Sequence, residues 1–511
     1  MKLYDTKSVC PECLRVVEAS VIEENGSIYM VKSCPEHGEF KHIYWRDAEL
    51  FKKVMEYSWE GRGVENPAIK DTNCPYACGL CPIHKSHTSL GIIDVTNRCN
   101  LKCPVCFDAA FATGYVYEPT KEQIRMMLRR LRQNKPVPAP AVQLTGGEPT
   151  IRADLFEIVK MAREEGFPHV EVNTNGVRIA MEPGYAEKLR EAGCTTIYLS
   201  FEGFEKSAYI HKGSDLTDIK LKAVERCRGA GIGVVLVPTL IKGINDNQLG
   251  KMVEFAAKNV DVIRCLNIQP VSFVGRFELE DIDKHRITTD EVLKLIEEQT
   301  NGKVKVEDFR PVTYPAPLSR LLGLLEGREM VEFTMNPHCG MATYIYVKED
   351  GDYIPITRFV DVDLLWKTCV ESVKKIEKGG WMYKQAVKLK LLSILPKLIK
   401  PDEAPEGLNL TDILKDIIVK RDYKSLAKFH FSRMVMIGLM HFQDSLNLDF
   451  ERLMRCGIHY STPDGRLIPF CAMNLTDIHG RSLYRKQIEK KFAIPLEQWE
   501  REHGVKQSSV A

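Results

Sequence analysis

Short apolar runs recur along the middle of the chain, each followed by a stretch with helical spacing. GIIDVTN (91–97), AVQL (141–144), HVEVNTNG (169–176), TIYLSFEG (196–203), GVVLVPTL (233–240) and VIRCLNIQP (262–270) are brief and β-rich, which predicts strands. Between them, Tyr185–Ala192, Thr217–Gly229 and Asp246–Lys258 carry the helical period. Strand and helix alternating at this length predict parallel βαβ units and an α/β fold class. Past about residue 310 the alternation stops, and helical patterns take over at Ser319–Leu325, Trp381–Leu395, Leu410–Val419 and Ser425–Met454. In the second of these, Val387, Leu391, Ile394, Leu395 and Leu398 share one face, and Pro396 limits the helix. Near the amino end, VEASVIEENGSIYMVKS is β-rich and lies between two cysteine-bearing turns. These shifts divide the chain into a metal-binding β module (1–60), a short cysteine segment (61–90), a strand–helix core (91–310) and a mostly helical carboxyl-terminal region (311–511).

Composition narrows the class. A chain of 511 residues exceeds the usual single-domain size, and 44% hydrophobic residues are ample for a buried core. Net charge is +2 with both signs interspersed, so there is no basic footprint for nucleic acid. No stretch approaches the ~20 apolar residues that span a bilayer. MKLYDTKSVC lacks the apolar core of a signal peptide, and sixteen cysteines then argue for metal ligation in a reducing, cytoplasmic setting. Lys384, Lys388, Lys390, Lys397 and Lys400 lie among the apolar positions of the second carboxyl-terminal helix. That pattern permits peripheral contact with an anionic membrane surface, although a packed helix with solvated lysines is the favoured reading. Arg125, Arg129, Arg130 and Arg132 read as an exposed helix face.

The cysteines fall into sets. Cys10 and Cys13 in one turn and Cys34 and His37 in another suit a tetrahedral zinc or a mononuclear iron, a distant cysteine being the alternative to His37. Cys99, Cys103 and Cys106 follow a predicted strand with C-x3-C-x2-C spacing. Such a triplet can ligate three irons of a 4Fe-4S cluster and leave the fourth without a protein ligand; a zinc knuckle or an electron-transfer cluster is the alternative. Cys74, Cys78 and Cys81 repeat the spacing without a preceding strand and read as ligands of an auxiliary 4Fe-4S cluster. Cys339, Cys456 and Cys471 are candidates to complete it, the last two brought together by a turn at Pro463-Asp464-Gly465. These six cysteines admit one or two auxiliary clusters. Cys265 and Cys369 are reserve ligands, and Cys194 and Cys227 read as buried inert thiols.

CNLKCPVC (99–106) together with Thr145-Gly146-Gly147-Glu148-Pro149 resembles the radical SAM superfamily, departing at Val105, where the family often has an aromatic residue. The resemblance implies a partial TIM-type barrel of six β/α units with S-adenosylmethionine on the open iron. It places Gly146, Gly147, Glu148 and Pro149 at the methionine amino group, the bare glycines allowing close approach to the ligand. Ser200 and Glu202 fall near the ribose, and Asn173, Asn175 and Gln269 line the same mouth, ordinary polar capping of strand ends being the alternative for each.

Four segments resemble one branch of that superfamily: CPEC…CPEHG, CPYACGLC, CNLKCPVCF and MHFQDSLNLDFERLMRCGIHYSTPDGRLIPFC. The branch includes archaeal enzymes assigned to pterin methylation and the archaeal tetraether lipid synthases, the latter being nearer. The resemblance thus implies joining the terminal methyl carbons of isoprenoid chains of a diether phospholipid. Hydrogen-atom abstraction by a 5′-deoxyadenosyl radical, a reductant such as a ferredoxin and radical trapping at the Cys74 triplet would serve it. An apolar tunnel is expected in the carboxyl-terminal third; Met434, Met436 and Met440 suit its wall, although core filler is the commoner use of methionine. Radical methylation of a pterin or other small heterocycle, in a polar, aromatic-edged pocket and with a defined carbon source, is the second reading. An iron–sulfur electron carrier without turnover is the third.

Overall fold

The computed structural model describes residues 1–110, 114–379, 381–400, 403–405 and 433–504. Strands β1 (Lys2–Val9), β2 (Val16–Glu24), β3 (Ser27–Cys34) and β4 (Gly38–Trp45) form an antiparallel meander. Ile28, Met30, Lys32 and Cys34 alternate onto its buried side, as the two-residue period of a strand requires. Buried Lys32 donates to Ser8 Oγ (3.0 Å) and the Ser445 carbonyl (2.6 Å), seating the module on the carboxyl-terminal segment.

The predicted core strands form as β5 (Leu90–Thr96), β6 (Ala141–Gly146), β7 (His169–Thr174), β8 (Thr196–Ser200), β9 (Gly233–Val237) and β10 (Ile263–Pro270). They lie side by side in that order, all parallel. The helices between them include Tyr185–Ala192, Thr217–Ala230 and Leu249–Lys258, the last preceded by a 3-10 turn. One face of the sheet buries Val142, Leu144, Val172, Ile197, Leu199, Val234 and Leu266 beneath Leu128, Ile158, Leu189, Val224 and Val253 of the helices. Each such side chain contributes about 1.5–3 kcal/mol when fully buried. A one-residue slip would turn this face to the other side, so the apolar face sets the register.

The carboxyl-terminal region extends this sheet at both edges. Its strands are β11 (Gly340–Val347), β12 (Met434–Met440), β13 (Ile458–Ser461) and β14 (Leu467–Pro469). β12 pairs parallel with β10 and β13 pairs parallel with β5, while β11 and β14 are antiparallel on the outside. The partial barrel therefore carries its six β/α units plus a parallel strand at each edge.

Over its described part, the helix expected at Ser425–Met454 gives way to β12 and a short helix, Phe450–Leu453. MVMIGLM has no polar position, so it carries no period to separate helix from strand, and pairing on both sides decides for strand. Leu410–Val419 lies outside the described residues. Ala316–Glu326 and Trp381–Leu398 are helical, the latter running through Pro396 instead of stopping before it. Val387 and Leu391 pack against Leu321, Cys369 and Val373, so the apolar face of that helix is covered by protein. No helix among the described residues is long and apolar enough to cross a membrane.

Candidate active site

The chain leaves β5 at Thr96 and enters the loop that carries Cys99, Cys103 and Cys106 to the carboxyl end of the parallel strands. Leu101 N donates to Cys99 Sγ at 3.4 Å, and Arg276 Nε donates to the Cys103 carbonyl at 2.8 Å. Burial pushes the Cys99 thiol up, with Glu148, Cys106 and Cys103 adding repulsion. The three thiols and one carboxylate thus share a site. Three mutually repelling thiols are the donor set a cationic iron–sulfur cluster satisfies.

Thr96 is the last register partner of Gly146, whose φ is +127°. A Cβ at Gly146 would strike the Thr96 carbonyl, and one at Gly147 the Arg98 carbonyl. The paired glycines therefore admit the chain's own backbone, where close approach of a ligand was expected. Gly147 N and Glu148 N donate to those same carbonyls, each at 2.8 Å, which ties the turn to the cysteine loop. Glu148 is buried. Its Oε1 accepts from Thr150 N (3.0 Å), Thr150 Oγ1 (2.6 Å) and Thr174 Oγ1 (2.7 Å), and its Oε2 from Asn175 N (2.7 Å). A carboxylate oxygen holds two lone pairs, so Oε2 retains capacity for an incoming ammonium.

The strand-end residues form a connected set. Asn175 Nδ2 donates to Asn100 Oδ1 at 2.7 Å, bridging to the cysteine loop, and Asn173 Nδ2 donates to Thr145 Oγ1 at 3.1 Å. Ser200 Oγ accepts from Lys220 Nζ at 3.0 Å, and the same ammonium donates to the Asn175 carbonyl. Burial pushes Lys220 down to about 8. Glu202 departs from expectation. It is wholly buried, accepts from Thr239 N at 2.9 Å and pairs with His211 Nε2 at 3.1 Å and Lys212 Nζ at 3.0 Å. Burial alone would raise its carboxyl, yet Lys212 and His211 hold it at about 2. Its Oε2 is taken by His211 and Thr239 N and its Oε1 faces the Lys212 ammonium, so the chain itself folds over the carboxylate where a ribose contact was expected. Sequence reading missed Lys212 and Lys220. For the second a signal existed: Lys220 shares the buried stripe of its helix with Ala223, Val224 and Cys227.

The second face of the sheet is polar. Register places Asp94, Gln143, Thr145, Glu171, Asn173 and Tyr198 on the side opposite the helices, with Asn267 and Gln269 beyond them. Gln143 Nε2 donates to Glu171 Oε1 at 3.0 Å; Asn267 and Gln269 donate to the Tyr198 hydroxyl at 2.5 and 2.9 Å. Tyr460 stands in the same row, its ring 5.6 Å from Phe470, which stacks on Phe442 at 3.9 Å. Met436 and Met440 share this face and Met434 is buried. The described wall thus sets polar groups beside Ile92, Val235, Cys265 and the two methionines and is edged by aromatic rings, while the carboxyl-terminal third in which an apolar tunnel was expected lies partly outside the described residues.

The remaining cysteines gather as follows. The ligand atoms of Cys10, Cys13, Cys34 and His37 all lie within 4.8 Å of one another, the set a tetrahedral zinc or iron takes. His37 Nδ1 is 3.6 Å from Cys10 Sγ and 3.5 Å from Cys34 Sγ, so no distant cysteine is needed. Burial raises Cys78, and Cys74, Cys81 and Cys456 add to it. Burial likewise raises Cys456, with Cys471 and Cys339 adding. Cys456 thus lies within electrostatic reach of Cys78 on one side and of Cys471 and Cys339 on the other, and the β13–β14 hairpin closes the turn expected between Cys456 and Cys471. Cys265 sits on β10 between Val235 and Met436, and Cys369 in helix packing, apart from these cysteines.

Two parts of the chain match family models. Residues 93–256 match the radical SAM superfamily, and residues 3–46 match the HMPTM N-terminal zinc ribbon domain. The 7,8-dihydro-6-hydroxymethylpterin dimethyltransferase of Methanocaldococcus jannaschii is 47% identical over 505 residues, 98% of this chain and 97% of that protein. GTP 3′,8-cyclase of Marinobacter nauticus is 28% identical over 38% of this chain and 55% of its own length. Among solved structures, Streptococcus suis SuiB bound to S-adenosylmethionine matches 43% of this chain and 48% of its own at 18% identity, with a TM-score of 0.34. The lipid-joining activity expected from the four segments is overturned, because a relative matched over 98% of this chain is a pterin dimethyltransferase. From the cysteine loop, the glycine turn welded to it and these matches, the chain belongs to the radical SAM superfamily.

Proposed function

We propose that this radical SAM enzyme methylates a reduced pterin. The observation that carries the reading is the polar inner face of the sheet, with Glu171 at its centre. A pterin presents two N–H donors on its aminopyrimidinone edge, and an ionised carboxylate accepts both. Gln143 fixes Glu171 from one side. The Tyr198 hydroxyl and the amides of Asn267 and Gln269 supply donors and acceptors for the ring nitrogens and carbonyl. The stacked pair Phe442 and Phe470 offers a flat apolar edge to a flat heterocycle.

Cys99, Cys103 and Cys106 would hold the 4Fe-4S cluster, and Glu148 the amino group of S-adenosylmethionine, with Asn173, Asn175, Ser200 and Gln269 at the mouth. When bound, these groups supply one-electron chemistry that activates carbon–hydrogen bonds without an acid or base. The chain's own residues orient the cofactor and the ring and exclude water. The triplets Cys74, Cys78, Cys81 and Cys339, Cys456, Cys471 would take one or two auxiliary clusters, and the amino-terminal site a structural zinc or iron. An external low-potential electron donor is required.

The test is anaerobic reconstitution with S-adenosylmethionine, a reductant and 7,8-dihydro-6-hydroxymethylpterin, read by mass spectrometry. Gain of methyl mass on the pterin is expected, and isotopic labelling of the cofactor methyl traces the carbon. Cofactor cleavage with an unchanged pterin would refute the reading.

A further inference from the structure

Between β8 and the helix Thr217–Ala230, the 3-10 helix Lys206–Lys212 folds back onto the cysteine loop. It ends in Gly213 at φ +76°, where a Cβ would stand 3.3 Å from Pro104 Cδ and 3.5 Å from the Lys102 carbonyl. Lys212 is thereby carried against the turn that joins Cys103 to Cys106. Its side chain is only 13% exposed, and Nζ lies 3.0 Å from Glu202 Oε1 and 3.4 Å from Thr239 Oγ1. Glu202 is anchored in turn by His211 Nε2 and Thr239 N, so the ammonium cannot drift. Glu202 chiefly, and Cys103 and Cys106 with it, favour the charged ammonium against its burial, so Lys212 stands within electrostatic reach of both sulfurs.

A fixed cation beside an iron–sulfur cluster favours the more negative, reduced form, and a poorly solvated setting enlarges the effect. We propose that Lys212, clamped by Glu202 and His211, is a positioning residue that sets the reduction potential of the cluster on Cys99, Cys103 and Cys106. This rests on the superfamily assignment alone and not on the pterin reading, so the test contains no substrate.

The test uses the anaerobically reconstituted full chain in wild-type form and as K212M, K212R and E202Q. Redox titration is followed by the electron paramagnetic resonance signal that changes on adding S-adenosylmethionine, which separates this cluster from other iron. In K212M the ratio of reduced to oxidised cluster at a fixed poise should fall about tenfold, a shift of about 59 mV to more negative potential for one electron. E202Q should shift the potential the opposite way, and K212R should stay near wild type. Shifts of the same sign in K212M and E202Q, or no shift in either with iron and cofactor response intact, would overturn the proposal. Should K212M lose its iron, K212Q decides: a negative shift upholds the role of Lys212 and an unchanged potential removes it.

Discussion

Replacing Glu148 with glutamine separates the two jobs its carboxylate performs. The side chain is 1% exposed and accepts four hydrogen bonds, three on Oε1 and one on Oε2. Glutamine can keep its oxygen toward Thr150 and Thr174, but its amide then points N–H groups at Asn175 N. Donor faces donor. A hydrogen bond to a charged group contributes about 1.5–3 kcal/mol, and the two stranded donors add part of a desolvation cost of about 1–3 kcal/mol. A net loss of about 3 kcal/mol is expected, since the two costs overlap. Chemical denaturation of the metal-free chain reads it as a lower midpoint at unchanged slope. The incoming ammonium of S-adenosylmethionine loses its carboxylate as well, which should weaken cofactor binding on the order of a hundredfold. Anaerobic titration of the reconstituted chain with cofactor measures that. A variant as stable as wild type that binds the cofactor equally well would refute the geometry derived for this turn.

Glu171→Gln should raise the KM for the pterin by roughly tenfold to a hundredfold, the value of a charge-assisted pair, while substrate-free cofactor cleavage persists; steady-state kinetics with both readouts checks it. Lys220 has its pKa lowered from 10.5 to about 8 by burial, so it contributes stability fully present above 10.5 and lost as pH falls through 8. Wild-type unfolding free energy should therefore rise between pH 8 and 10 relative to Lys220→Met, and parallel curves would exclude the linkage. Cys34→Ser should strip metal from the amino-terminal site while the iron bound by the Cys99 triplet is retained; elemental analysis with S-adenosylmethionine-responsive spectra distinguishes the two sites.

Much of the core was legible because its determinants are local. β5 to β10 and the helices between them are encoded by apolar period over windows of four to fourteen residues, and their order follows from the parallel βαβ rule. The cysteine sets were legible because ligand spacing is a property of short turns. The Cys10, Cys13, Cys34 and His37 site needed only a hairpin to bring its ends together. Legibility failed where a residue's role depends on a distant partner. Glu202 reads as a strand-end acceptor until Lys212 and His211 fold over it. The glycine pair reads as ligand-facing until the Thr96–Arg98 backbone occupies the space.

Sequence alone thus determined the six-unit parallel core, the cysteine groupings and the superfamily, since hydrophobic period and ligand spacing are written within single elements. Tertiary structure alone decided three things. It placed β12 beside β10 and β13 beside β5, brought Cys456 within electrostatic reach of Cys78, Cys339 and Cys471, and turned the alternating polar residues of five strands to one face. Parallel pairing between segments far apart in the chain depends on which sheet edges stay open, and the character of a pocket depends on which face the helices cover. Neither is a property of any one segment.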